Sequence, residues 1–142
     1  MTETNFPFPS DGKRYYTWNR YLRNEFGKKV YKVALDAGFD CPNRDGTVAF
    51  GGCTFCSAAG SGDFAGNKVD PIPLQFEQIK AKMEQKWKNG LTMAYFQAYT
   101  NTHAPLPVLK EKFEAALACE GVMGLSIATR PDCLPDDVAE YL

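Results

Sequence analysis

The chain has 142 residues, 44% of them hydrophobic, and a formal net charge of −1. That length and composition are ordinary for one globular domain, and the near-neutral total predicts no strong overall attraction to nucleic acid. No run of about 18 apolar residues exists to span a membrane, and the first ten residues lack the apolar core of a signal peptide. We therefore expect a cytoplasmic protein without a membrane partner, whose five cysteines are metal ligands or core residues rather than disulfides.

Residues 1–28 are predicted to form a lead-in followed by a basic, aromatic helix. Two prolines and small polar residues disfavour a regular element in residues 1–13. The helix is predicted from Thr17 to Phe26, because apolar residues recur at helical spacing and Gly27 is a natural stop. Between residues 13 and 32 Glu25 is the only acid, while the cations are Lys13, Arg14, Arg20, Arg23, Lys28, Lys29 and Lys32.

This basic and aromatic composition has two interpretations. Aromatic residues at helical spacing usually pack against a core, which leaves the charges of the helix in water. Cations and exposed rings are also the composition of an RNA-binding surface, where cations meet phosphates and rings stack on bases. An RNA-binding module is therefore one alternative function.

Residues 29–142 alternate predicted strands and helices. The strands are predicted at Lys29 to Leu35, Leu91 to Gln97 and about Val122 to Ala128. The helices are predicted at Leu74 to Asn89 and Pro107 to Ala118, with a third beginning at Pro135. This alternation is typical of a parallel α/β sheet, in which functional residues gather after the carboxyl ends of the strands.

Three of the five cysteines lie in one stretch after the first strand. Cys41 and Cys53 are separated by eleven residues, and Cys53 and Cys56 by two. The turn-forming pairs Asp45-Gly46 and Gly51-Gly52 let the stretch curl so that three sulfurs approach one another. Three thiolates can hold a [4Fe-4S] cluster with one iron left open, whereas a structural zinc ion needs a fourth ligand. A non-catalytic zinc module that recruits His103 or Cys133 is thus a second alternative.

The sequence around these cysteines resembles that of the radical SAM superfamily. Cys41-x11-Cys53-x2-Cys56 is similar to the cluster loop in the branch of the Elongator catalytic subunit. Three further segments resemble the bacterial YhcC/YtqA-type radical SAM proteins. They are residues 38–46, residues 52–57 and Thr129-Arg130-Pro131-Asp132. The resemblance implies a [4Fe-4S] cluster on the three cysteines and S-adenosylmethionine (SAM) on the open iron.

The resemblance also implies an activity and partners. The reduced cluster would cleave SAM to methionine and a 5′-deoxyadenosyl radical, which abstracts hydrogen from a substrate. The electron would come from a reductant such as a flavodoxin or ferredoxin. The Elongator branch suggests a tRNA nucleoside as the substrate.

The radical SAM core is a partial (β/α)6 barrel, so the resemblance implies that residues 29–142 hold its first three βα units. We expect a truncated, N-terminal half of that core, able to associate through its open strand edge. The SAM site of the family follows the second and third strands, which implies SAM contacts for Gln97, Tyr99, Asn101 and Arg130. Arg130 suits a carboxylate of SAM, but pairing with Asp132 or Asp136 is an equally good interpretation.

Four further features remain open at this point. The glycine-rich segment 57–66 is either a wall of the cofactor site or a flexible connector. His103 has no evident partner and is interpreted as a structural histidine or as a substrate or proton group. Cys119 is predicted to be a small buried residue, and we do not expect Cys133 to be a ligand.

Overall fold

The computed structural model describes residues 13–142, so nearly all of the predicted lead-in lies outside the described residues. The elements are α1 (Trp18–Phe26), β1 (Val30–Leu35), α2 (Ile72–Glu84), β2 (Leu91–Phe96), α3 (Leu106–Leu117), β3 (Val122–Ile127) and α4 (Asp136–Tyr141). The three strands form one parallel sheet in the order β1-β2-β3. The predicted parallel α/β architecture is confirmed. None of the helices in the described part of the chain is long and apolar enough to cross a membrane.

The prediction for α2 was wrong at both ends, whereas the other bounds fall within one residue of prediction. The helix was predicted from Leu74 to Asn89 but runs over Ile72–Glu84. It begins early because Pro73 lies in its first turn, where the missing N–H is not needed. After Glu84 the chain tightens into a turn, in which the Met83 carbonyl accepts the N–H of Lys86, three residues further on, as well as that of Trp87. Trp87 still packs against the core from that turn.

The core lies on one face of the sheet, under α2 and α3. Val33, Leu35 and Phe96 from the strands are fully buried with Phe76 of α2 and Phe113 of α3. The rings of Phe96 and Phe113 meet edge to face, with centroids 5.0 Å apart. Burial alternates along β2, so every second residue faces away from this core. The sheet therefore keeps a second, less covered face, and residues of α1 and of this face together line a cavity.

The strand register places the three strand ends in one row. Leu35 pairs with Phe96, and Phe96 pairs with Ile127. The loops that follow the strands therefore leave from the same edge of the sheet. In parallel sheets this edge is where ligands bind.

Candidate functional site

Residues 41–52, which we call the cysteine lobe, fold mainly on themselves. The Cys41 carbonyl accepts the N–H groups of Arg44 and Asp45, and the Pro42 carbonyl accepts those of two further residues, Val48 and Ala49. An isolated antiparallel bridge joins Asp45 to Phe50. The predicted turn formers thus fold back the eleven residues between Cys41 and Cys53, so that both cysteines lie at the same edge of the sheet.

A cavity of about 290 Å³ lies beside this lobe, and we call it the cysteine cavity. All three clustered cysteines and three of the four predicted SAM residues line it: Cys41, Cys53, Cys56, Gln97, Tyr99 and Arg130. These residues come from the loops after all three strands. The structure therefore brings together side chains that the sequence separates by up to about ninety positions.

Asn101, the fourth predicted SAM residue, does not line this cavity. It is fully buried, and its side-chain amide donates to the carbonyls of Phe96 and Ala128 at 3.1 and 3.0 Å. Its Oδ1 atom has no hydrogen-bond partner among the described residues. Asn101 thus joins the ends of β2 and β3.

The surroundings of two cysteine sulfurs favour negative charge. The Asn43 side-chain amide donates to the sulfur of Cys53 at 3.0 Å, and Nη1 of Arg130 lies 3.8 Å from the sulfur of Cys41. Burial by itself would raise the pKa of the Cys41 thiol. Hydrogen bonds from the Thr100 side chain, the Asn43 backbone and Arg130 outweigh burial and lower that pKa below its ordinary value. A lowered pKa increases the fraction of thiolate, which is the form that binds metals.

Arg130 is paired with Asp132 rather than with Asp136. Its Nε and Nη2 atoms donate to the two Asp132 oxygens at 2.9 and 2.6 Å, and these bonds raise the pKa of Arg130 and lower that of Asp132. The Nη1 atom is directed to Cys41 instead. The same guanidinium therefore forms an ion pair and borders the cysteine cavity.

Tyr99 is held in an unusual backbone conformation at the cavity wall. Its φ of +61° lies in the left-handed region, which for a residue other than glycine costs on the order of 1–3 kcal/mol and is concentrated at functional sites. Its N–H donates to Gly60, and its hydroxyl donates to the Ala58 carbonyl. A Cβ atom on Gly60 would lie 2.5 Å from the Tyr99 ring, so this contact requires glycine. This part of segment 57–66 therefore packs as a wall of the cavity.

The other candidate ligands lie apart from the three cysteines. His103 and Cys133 border a different cavity of about 310 Å³. Cys119 is partly buried in the turn just after α3, where its thiol donates to the carbonyl of Ala115 in that helix. Within residues 13–142, no three His, Cys, Asp or Glu side chains lie close enough together to hold a single metal ion.

No local pattern indicates the contact between His103 and Asp45. Nε2 of His103 lies 2.6 Å from Oδ2 of Asp45, across 58 residues of sequence. Hydrogen bonds from Thr47, and then the one from His103, lower the pKa of Asp45 to about 2. Asp45 was identified only as a turn former, since nothing local to the sequence indicates a partner so far along the chain.

The α1 surface carries exposed rings beside the cysteine cavity. Trp18 and Tyr21 are stacked with ring centroids 5.1 Å apart, and 58% and 40% of their surfaces are exposed. Trp18 also lines a cavity of about 410 Å³ with Lys29. Tyr95 and Gln97 line both this cavity and the cysteine cavity, so the two are neighbours along the open face of the sheet.

Three known proteins are similar to the chain over most of its length. The chain is 66% identical over 142 residues to the uncharacterized protein YtqA of Bacillus subtilis, and it covers 44% of that protein. It is 43% identical over 121 residues to protein YhcC of Escherichia coli strain K12, of which it covers 38%. It is 38% identical over 139 residues to an uncharacterized protein of Methanocaldococcus jannaschii, of which it covers 42%.

The chain thus spans about two fifths of the length of these relatives. Their names state no activity. No family model matches the chain. No solved structure matches it either.

Proposed function

We propose that this chain is part of a radical SAM enzyme that holds a [4Fe-4S] cluster through Cys41, Cys53 and Cys56. The observation that carries the proposal is the lining of one cavity by all three thiols at the carboxyl edge of a parallel sheet. A four-iron cluster takes each thiolate on a different iron, so its ligands stand further apart than those of a single ion. The proposal therefore does not require three ligands to converge on one point.

The residues of the cavity fit such a group. The Cys41 thiol has a lowered pKa, and Asn43 donates to the Cys53 sulfur, as hydrogen bonds that tune clusters do. When bound, the cluster supplies the electron that cleaves SAM to methionine and a 5′-deoxyadenosyl radical. In the proposal, Tyr99 and Gln97 orient SAM, and Nη1 of Arg130 faces its carboxylate.

The same proposal extends to the fold. The three βα units would be the first half of a partial (β/α)6 barrel, and the further length of the relatives would supply the strands beyond β3. A reductant such as a flavodoxin or ferredoxin would deliver the electron. These statements rest on the resemblance and on the position of the cysteine cavity.

Anaerobic reconstitution with iron and sulfide, followed by electron paramagnetic resonance of the reduced chain, tests the proposal. We expect a [4Fe-4S] signal that shifts when SAM is added, because an open iron binds the amine and carboxylate of SAM. ATP at the same concentration is the control, since it shares the adenosine but has no methionine. A signal that does not change when SAM is added would refute the SAM site. Stoichiometric zinc with no affinity for iron would refute the cluster and favour the zinc module.

A second candidate function is binding of single-stranded RNA by α1. The observation that favours it is the exposed Trp18–Tyr21 ring pair, which lies among seven cations and one acid between residues 13 and 32. Stacking of a base on such rings and phosphate contacts with such cations are the two components of single-strand recognition. This function is compatible with the first, because the cavity beside α1 adjoins the cysteine cavity.

Fluorescence anisotropy with a labelled single-stranded RNA tests this candidate. We expect Trp18→Ala to lose about 1–3 kcal/mol of binding free energy through lost stacking. We expect Arg23→Gln to reduce the slope of log affinity against log salt by about one. Lys68→Gln is the control, because Lys68 is an exposed lysine outside this region. Binding that is absent, or that is unaffected by salt, would refute the candidate.

A further inference from the structure

Three consecutive residues in the loop after β2 are hydrogen-bonded to other segments of the chain. The N–H of Thr100 donates to the carbonyl of Asp40, the residue before Cys41. Asn101 joins the ends of β2 and β3, and Thr102 bonds the side chain of Thr129 and the carbonyl of Cys133. Thr100, Asn101 and Thr102 are each at most 3% exposed. His103 therefore extends from a segment that is fixed to the sheet.

Asp45 uses its two carboxylate oxygens for two different purposes. Oδ1 accepts the N–H and the hydroxyl of Thr47, at 2.9 and 2.7 Å, which shapes the turn of the cysteine lobe. Oδ2 meets His103 at 2.6 Å. The neighbouring Arg44 bonds the carbonyls of Ser57 and Ala58 on another segment. The lobe is thus fastened at two adjacent residues to two separate parts of the molecule.

We propose that Asp45 and His103 are positioning residues of the three-cysteine site, forming a carboxylate–imidazole clasp that fixes the cysteine lobe. The long gap between Cys41 and Cys53 is the reason that a clasp is needed. A gap of eleven residues leaves the cysteines at its ends more freedom than a short one, and the entropy of closing it grows with its length. The clasp restricts that freedom before any cluster binds.

The chemistry of the pair suits this purpose. The pKa of Asp45 is lowered to about 2, so its carboxylate stays ionised even in mildly acidic solution. A short bond to an ionised acceptor is stronger than a bond between neutral groups. The clasp lies on the lobe and not in the cysteine cavity, so neither residue lines the space where the cluster would bind. As a statement about the cluster, the inference rests on the proposed function, but the clasp itself is measurable on the chain without metal.

The test compares hydrogen exchange and cysteine reactivity in the metal-free chain. We expect His103→Ala to speed exchange of the Val48 and Gly52 amides, and alkylation of Cys53, by about tenfold. Asp45→Asn should act in the same direction, and the double variant should add little, because both changes remove one interaction. His103→Gln is the matched control, since its side-chain amide can still donate to Asp45. Amides of β2 should keep their protection, which separates loosening of the lobe from unfolding.

A second readout follows the reconstituted protein. We expect His103→Ala, but not His103→Gln, to lower iron incorporation and to shift the paramagnetic resonance g values of the remaining cluster. If the wild-type chain forms a cluster and His103→Ala changes neither exchange nor g values, the clasp is refuted while the proposed function stands. If exchange responds as expected and no cluster forms in any variant, the clasp stands and the proposed function is refuted.

Discussion

Replacement of Cys53 by alanine is expected to abolish the [4Fe-4S] signal of the reconstituted chain and to remove most of its bound iron. Cys53 lines the cysteine cavity, and its sulfur accepts a hydrogen bond from Asn43. With Cys53 absent, only Cys41 and Cys56 of the clustered cysteines remain in that cavity. Two thiolates on a four-iron cluster leave two irons without a protein ligand, and clusters are normally held by more.

The matched control for this substitution is Cys119→Ala. Cys119 is also a partly buried free cysteine, but it lies in the turn after α3, and its thiol donates to the carbonyl of Ala115 in that helix. We expect that variant to keep the iron content and the signal of the wild-type chain. The measurement is the iron content per chain, taken together with the resonance spectrum. Equal iron content in Cys53→Ala and in wild type would refute the assignment of the three cysteines as cluster ligands.

The fold was predictable because its signals are local. Each strand is a short run of β-forming residues, and each helix has an apolar stripe. The gathering of the three cysteines at one cavity was also predictable, since the turn-forming pairs Asp45-Gly46 and Gly51-Gly52 let the stretch fold back on itself. The end of α2 was not predictable, because Trp87 continues the apolar period of the helix although it packs against the core from a turn.

Around β2, the candidate site was predictable where it continues the alternation of the strand. Tyr95, Gln97 and Tyr99 follow the period of two and line the cysteine cavity. Asn101 would continue that period, but the left-handed backbone at Tyr99 redirects the chain, and Asn101 becomes buried between β2 and β3. A single positive φ outside glycine has no dependable sequence signal. The position of Asn101 therefore required the structure.

Contacts between distant segments were missed for a different reason. His103 and Asp45 are 58 residues apart. The partner of Arg130 was left open between Asp132 and Asp136 for a local reason, since the choice depends on the short 3-10 turn Pro131–Cys133. Neither contact follows from local propensity. Gln75 is a third such residue. It lies in the apolar face of α2, fully buried, where the sequence pattern suggests only a helix surface.

Replacement of Gln75 by leucine is expected to destabilise the chain by about 3 kcal/mol or more, although it makes the core more apolar. The Gln75 side chain accepts the N–H of Asp36 at 3.0 Å and donates to the carbonyls of Asp36 and Asp70, each at 2.9 Å. Leucine has a similar volume but leaves these three groups without that partner, and each buried unsatisfied group costs about 1–3 kcal/mol. Urea unfolding of the two chains measures the difference.

The control is Gln78→Leu, on the same helix but exposed. We expect it to change the free energy of unfolding by about 0.5 kcal/mol or less, as is usual for surface substitutions. Equal effects of the two substitutions would mean that the three bonds of Gln75 contribute nothing. The surroundings are tight, because a Cβ atom on Gly66 would lie 2.4 Å from Oε1 of Gln75. Replacement side chains at position 75 therefore have little room to find other partners.

Gln75→Glu separates the loss of the donor from the loss of volume, and its effect should depend on pH. A carboxyl group buried against two carbonyls has its pKa raised above the unfolded value of about 4.3, because burial and the carbonyl dipoles oppose its charge. The folded state then binds more protons than the unfolded state between the two pKa values. The stability that the protonated carboxyl group contributes is therefore fully present below the unfolded pKa and is lost as the pH rises through the folded pKa.

Urea unfolding at a series of pH values measures this loss. As the pH is raised from about 4 to about 8, we expect the urea midpoint of Gln75→Glu to decrease relative to that of wild type. A constant difference over that range would mean that the carboxyl group reaches water, and that Gln75 does not clamp the strand end from which the cysteine lobe begins.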